Sequence, residues 1–350
     1  MDLEDHAVPQ GSILGGLIFM IFSNDFPACR EVGESVMFVD DDTDVAHDSD
    51  PGLLEQKIQV EADHSSNWLK DNRMCVAGEK SKLLIIGTKR LRDMRLTDPI
   101  AIMVDGKEVI ETESEKLLGV IIGNSLTWKA HLYGETWREN AENAPGLIPQ
   151  LSQRVGILRR LSKFVSRERL KLFSHGIFYS KLNYCLPVFG NVFGLDRYRD
   201  TTTRSWSFTK EDNRRLQVLQ NSVVRLVTGA PRSTPTSTLM ELSSTLSVQQ
   251  LIAHQTLVLV NKVIITSKPA YLSRKLTPRN LEDGGLVPAR RQATILPPSQ
   301  SLSVTRGGFI SRGVQLFNSL PLQLRQLRNT TQFQKAIKPW VKSNIPVKPP

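Results

Sequence analysis

Phe38-Val39-Asp40-Asp41-Asp42-Thr43 sets three consecutive carboxylates between two short apolar runs, and its reading decides what the front of the chain is. The preceding Ser35-Val36-Met37-Phe38-Val39 is rich in strand formers, and Thr43 to Ala46 can return as a second strand, which predicts a hairpin with the aspartates at its tip. Adjacent carboxylates repel unless cations hold them, and hard oxygen ligands of this kind suit Mg²⁺ together with substrate phosphates. One reading is therefore a phosphoryl-transfer metal site. The other is a solvated acidic turn, because Asp is a common turn residue.

Outward from the hairpin, Asp50 and Pro51 read as the N-cap and first position of a helix carrying Leu54, Ile58, Ala62 and Leu69 to about Asn72. Upstream, Val8 to Ser12 reads as a turn opening an apolar helix from about Ile13 to Phe26, with Ser12 as a capping residue. Lys82 to Gly87 is expected as a strand, Ile100 to Val104 and Lys107 to Ile110 as a hairpin about Asp105-Gly106, and Lys116 to Ile122 as a further strand. This mixture makes the front third α+β. Beyond Trp128 the pattern turns to amphipathic helices: about Ile148 to Phe164, Arg167 to Tyr184 capped by Ser166, Asn213 to Thr228 ended by Gly229, and Val248 to Ile265 capped by Ser247. Five prolines between Lys268 and Pro298 argue for an extended linker, and short helices over Ser311 to Ser319 and Thr331 to Lys342 close the chain. The expected division is 1–135, 136–266, 267–308 and 309–350.

The 350 residues carry a formal net charge of +10 that is unevenly spread. Residues 1–135 hold 13 Lys/Arg against 25 Asp/Glu, and residues 136–350 hold 32 against 10. A basic half of this size suits a polyanion partner. The candidate phosphate-contacting residues are Arg154, Arg159, Arg160, Lys163, Arg167, Arg169 and Lys171, one dense run on two consecutive helices; the alternative is a solvated helix face. Cys29, Cys75 and Cys185 lie far apart, with neither a disulfide framework nor a zinc spacing. Ile13 to Phe22 is too short to span a bilayer and has no basic leader, so an intracellular protein of the cytoplasm or nucleus is expected.

Val8-Pro9-Gln10-Gly11-Ser12-Ile13-Leu14-Gly15, then an apolar stretch ending Asn24-Asp25-Phe26-Pro27, then Phe38-Val39-Asp40-Asp41, resembles in order the reverse transcriptases of non-LTR retrotransposons. Gly78-Glu79-Lys80-Ser81-Lys82-Leu83-Leu84-Ile85 is similar to the family's next palm motif. Leu117-Leu118-Gly119-Val120-Ile121-Ile122, with Leu126-Thr127-Trp128 and His131, is similar to its following hairpin. Lys181-Leu182-Asn183-Tyr184-Cys185, Leu219-Gln220-Asn221-Ser222 with Gly229, and Leu316-Phe317-Asn318-Ser319-Leu320-Pro321 look like the helical thumb and C-terminal region of jockey-type elements.

The resemblance implies a fold, a chemistry and a set of roles. The fold would be part of a polymerase palm followed by a mainly helical thumb and C-terminal region. The chemistry would be RNA-directed DNA polymerisation with two Mg²⁺ ions, an RNA template, a DNA primer and deoxynucleoside triphosphates. Asp40 would be the principal metal ligand, Asp41 its support, and Asp42 would lie outside. Pro9, Gln10 and Gly11 would pack near the templating base and nucleotide. Lys80 would face the leaving pyrophosphate, or else be a solvated strand-edge lysine. Trp128 and His131 would sit at a primer-gripping hairpin, with core packing the better account of Trp128. The family's set contains one more Asp, on a strand before the Pro-Gln-Gly loop, and only seven residues precede Val8. Its fingers, endonuclease and RNase H have no counterpart, and Gly16 stands where Pro is common. The expectation is a reverse transcriptase fragment inactive alone, with a non-catalytic nucleic-acid-binding module or a non-functional remnant as alternatives.

Overall fold

The computed structural model describes residues 12–87, 99–134, 145–192, 208–276, 295 and 308–347. It is α+β and divides into two compact units, Met1–Glu115 and Lys116–Pro350. The division falls 20 residues before the expected boundary at 135, so the last strands assigned to the front unit by sequence belong with the helices.

In the first unit, helix α1 (Gly15–Phe22) is shorter than the sequence pattern suggests, and a 3₁₀ turn over Phe26–Cys29 follows it. Ser12 Oγ accepts from Gly15 N at 3.0 Å, and no residue of α1 is buried. Strands β1 (Glu34–Phe38) and β2 (Asp41–Val45) form the expected antiparallel hairpin, Phe38 opposite Asp41. Helix α2 (Pro51–Asp71) starts as the sequence indicates, with the Asp50 carboxylate accepting from Leu53 N and Pro51 at the first position. Its apolar stripe, Leu54, Ile58 and Ala62, packs on a small sheet of β3 (Leu83–Leu84), β4 (Ala101–Val104) and β5 (Lys107–Thr112), ordered β3-β5-β4. Asp105 and Gly106, both at positive φ, make the β4–β5 turn. β3 is only two residues of the longer strand expected from Lys82 to Gly87.

In the second unit, the single strand expected from Lys116 to Ile122 is a hairpin, β6 (Ser114–Leu117) and β7 (Val120–Gly123), β6 lying across the boundary. Its turn is Leu118-Gly119 with φ of 46° and 82°. The unbroken apolar run hides this turn, because a Leu in the left-handed region carries no turn signature. Trp128 and His131 are on the short helix α3 (Lys129–Tyr133) and its N-cap, not on the hairpin.

The helical body then comprises α4 (Leu147–Leu161), α5 (Arg167–Ser174), a π turn at His175–Tyr179, α6 (Ser180–Asn183), α7 (Leu186–Phe189), α8 (Lys210–Thr228), α9 (Thr236–Ser243) and α10 (Val248–Thr266). The expected Arg167–Tyr184 helix thus runs to Asn183, with a π turn at its centre. Ser166 and Ser247 cap as expected, and Gly229 ends α8 at φ 74°. Of the 267–308 linker, helix α11 (Ala270–Lys275) and Ile295 are described. Helices α12 (Phe309–Ser319), α13 (Leu322–Arg325) and α14 (Thr330–Asn344) complete the unit.

The core of this unit centres on α10, whose Val248, Ile252, Ala253, Leu257, Val260 and Val263 are buried. α10 is the one described helix long and apolar enough to cross a membrane, and more than half of it lies inside the packed body, as expected of a core helix. A buried amide network ties α8 to its neighbours: Gln217 bonds Gln220 and Asn221, Asn221 reaches Thr236 on α9, and Val248 N donates to Gln217. The Leu219-Gln220-Asn221-Ser222 stretch is therefore explained by packing. Likewise Asn318 Nδ2 donates to Ile295 O, and Ile295 N donates back to Asn318.

Candidate functional site

The β1–β2 tip is the two-residue turn Val39-Asp40, with Val39 at φ 59°. A β-branched residue there is strained, so an unfavourable backbone holds Asp40 and Asp41 at the tip. Both aspartates are exposed and make no ion pair among the described residues.

Asp42 and Asp44 are used differently. Cross-strand pairing puts them with Ser35 and Met37 on one face, where Arg30 meets them. Arg30 Nη2 bridges to Asp42 and Nε to Asp44 at 2.7 Å; Ser35 Oγ donates to Asp42 at 2.6 Å. Glu61 of α2 lies 4.0 Å from Arg30 and accepts from the backbone N–H groups of Glu31, Val32 and Gly33. The Arg30 guanidinium also stacks over Phe26 at 4.5 Å, and Phe26 meets Trp68 edge-on. Burial, followed by the neighbouring Asp42, pushes the Asp44 carboxyl up against the pull of Arg30. For Arg30, burial opposes its charge, but Asp44 and Asp42 outweigh it and raise its pKa. The three aspartates thus divide: Asp42 anchors the hairpin, while Asp40 and Asp41 stay free.

Among the described residues, no three His, Cys, Asp or Glu side chains form a group able to hold a metal ion. Asp40 and Asp41 are two exposed carboxylates, fewer than a Mg²⁺ shell takes by themselves. Lys80 is exposed in the turn before β3, where its backbone N–H donates to Ala77 O at 2.8 Å. Pro9, Gln10 and Gly11 lie outside the described residues.

In the second unit, Arg159, Arg160, Lys163, Arg169 and Lys171 are all exposed, and none pairs with a carboxylate among the described residues. Arg159 and Arg160 occupy the last turn of α4, where cations complement the helix dipole. The other two candidates are engaged structurally. Arg154 is half-buried and donates to Ile177 O. Arg167 Nη1 donates to Thr228 O at 3.3 Å, and its guanidinium lies where a side chain on Gly229 would stand. Among these cations, sequence reasoning passed over Phe164 and Leu172, which are 83% and 73% exposed. Their signal was an apolar residue out of phase with the buried positions, Leu151, Val155 and Leu158 for Phe164, and Leu170 and Ser174 for Leu172.

His131 is buried at 5% exposure, its ring 4.9 Å from Phe189. Burial, then Lys181, lowers its pKa to about 4. Tyr133 donates to Asp212 and lies under Arg215, fastening α3 to α8; burial first and Asp212 second push its pKa up to about 12. Tyr184 Oη donates to Leu118 O at 2.6 Å, so the Lys181–Cys185 stretch holds the β6–β7 turn.

Comparison with family models, with curated proteins and with solved structures returns no match.

Proposed function

We propose that this chain is a reverse transcriptase of the non-LTR retrotransposon type, acting as a nucleic-acid holder whose polymerase carboxylates are not a complete metal centre among the described residues. The observation that carries the reading is the hairpin tip: the two aspartates matching the family's Asp-Asp pair are free and exposed on a strained turn, while their neighbour Asp42 is tied to Arg30. Polymerase chemistry needs carboxylates that can take hard cations, and only Asp40 and Asp41 of the three are available for that here. Mg²⁺ would be the ion they take, with substrate phosphates and at least one further carboxylate completing its shell. Deoxynucleoside triphosphates, an RNA template and a DNA primer are the partners of the intact activity.

The second reading, nucleic-acid binding without chemistry, is favoured by a separate observation. Five cations without a carboxylate partner among the described residues, and two exposed apolar side chains, on α4, α5 and the loop joining them offer phosphate contacts beside stacking surface. The two readings part in one experiment on the full chain. An RNA–DNA primer–template should bind, and no extension should occur with Mg²⁺ or Mn²⁺. Extension that Asp40→Ala abolishes would show a complete polymerase site and overturn the reading of an incomplete centre.

A further inference from the structure

A small cavity of about 150 Å³ opens in the second unit between the β6–β7 hairpin, α3, α6 and the start of α4. Its wall includes Lys116, His131, Gly146, Gln150 and Lys181. Ile121 N–H donates to His131 Nδ1 at 3.4 Å, which assigns the neutral ring's proton to Nε2. That Nε2–H is buried and has no hydrogen-bond partner among the described residues. A buried donor without an acceptor costs free energy, so its persistence beside a cavity calls for an acceptor there.

Among the described residues, the charges acting on Lys181 at this wall are positive. Burial lowers the Lys181 pKa first, and the two charges that lower it further are the cations Arg154 and Lys116. α4 begins at the cavity with Gly146 as N-cap, no side-chain cap and no acidic residue in its first turn. The positive end of a 15-residue helix therefore lies at the same wall, where Pro149 has no N–H and Gln150 N bonds Gly146 O. Gly146 is required there, since a Cβ would stand 2.2 Å from Gly134 N.

We propose that this cavity is a binding site for one phosphate group, held by Lys116, Lys181, the His131 Nε2–H donor and the first turn of α4. The ligand is an oxyanion with several acceptors, of a size to fill the cavity, and its source is either a terminal phosphate monoester or a phosphodiester of a nucleic-acid backbone. The site is distinct from the cations at the far end of α4 and does not depend on the reading of the hairpin aspartates.

Calorimetric titration of the full chain with inorganic phosphate at neutral pH tests the proposal. One saturable site is expected, and Lys116→Ala with Lys181→Ala should weaken it at least about tenfold, since each charge-assisted bond is worth that much. Thermal unfolding in phosphate-free buffer should be unchanged by that pair, of which Lys116 is exposed and Lys181 half-buried. His131→Leu should also weaken binding; if it fails to fold, the lysine pair still decides. Arg159→Glu, Arg160→Glu and Lys163→Glu should leave phosphate affinity unaltered, which separates this site from the proposed nucleic-acid face. Short oligonucleotides with and without a 5′-phosphate then identify the source: displacement of phosphate by the phosphorylated strand alone assigns the monoester, and equal displacement by both assigns the backbone. No saturable binding in the millimolar range, or binding indifferent to the lysine pair, would overturn the proposal.

Discussion

Arg30 is the residue on which the acidic hairpin depends. Its side chain is 4% exposed and faces Asp42, Asp44 and Glu61, the last only 2% exposed. Of these carboxylates only Glu61 is buried, so Arg30→Ala should cost the first unit roughly 1 to 3 kcal/mol. Urea unfolding followed by Trp68 fluorescence would read this, and an unmoved midpoint would mean that the cluster is solvated. The sequence reading separated Asp42 from Asp40 and Asp41 through resemblance alone. The partner that enforces the separation lies 12 and 14 residues upstream, and no local pattern marks it.

His131 carries a pH dependence of definite sign. Its folded pKa, about 4, lies below the ordinary 6.5, so the unfolded chain takes the proton first. The neutral ring's contribution is complete above pH 6.5 and is lost as pH falls toward 4, a loss of roughly 3 kcal/mol. Unfolding of the full chain between those pH values, compared with His131→Gln, should show the difference; identical slopes would refute a buried neutral imidazole.

At the scale of elements, the β1–β2 turn places a β-branched residue in left-handed backbone. Val39→Gly should relieve this and stabilise the hairpin by about 1 kcal/mol. A lower melting temperature would show instead that the exposed Val39 side chain contributes packing. Hairpin, caps and helix α2 were legible because their signals are local: Asp50-Pro51, Ser166, Ser247 and Gly229 each act within a few residues. The β6–β7 turn and the π turn at His175–Tyr179 were not, since both lie inside runs whose apolar pattern continues through them. Both meet distant contacts, the first Tyr184 and the second Arg154 of α4, which donates to Ile177 O.

At the scale of the molecule, charge and fold divide together. The first unit, residues 1–115, holds 11 Lys/Arg against 24 Asp/Glu, whereas residues 116–350 hold 34 against 11. Acidic side chains are thus concentrated in the first unit, and cations in the second, so the proposed polyanion contact belongs to the helical unit. Phosphate neutralisation releases counterions, which makes salt dependence the direct readout of that contact. The deciding measurement is the affinity of the full chain for an RNA–DNA primer–template over a series of salt concentrations, beside Arg159→Glu/Arg160→Glu/Lys163→Glu. The log–log plot should fall with a slope near 0.7 to 0.9 per phosphate contacted, and the triple replacement should flatten it by about two to three contacts. Binding indifferent to salt, or a slope the replacement leaves unchanged, would contradict the account.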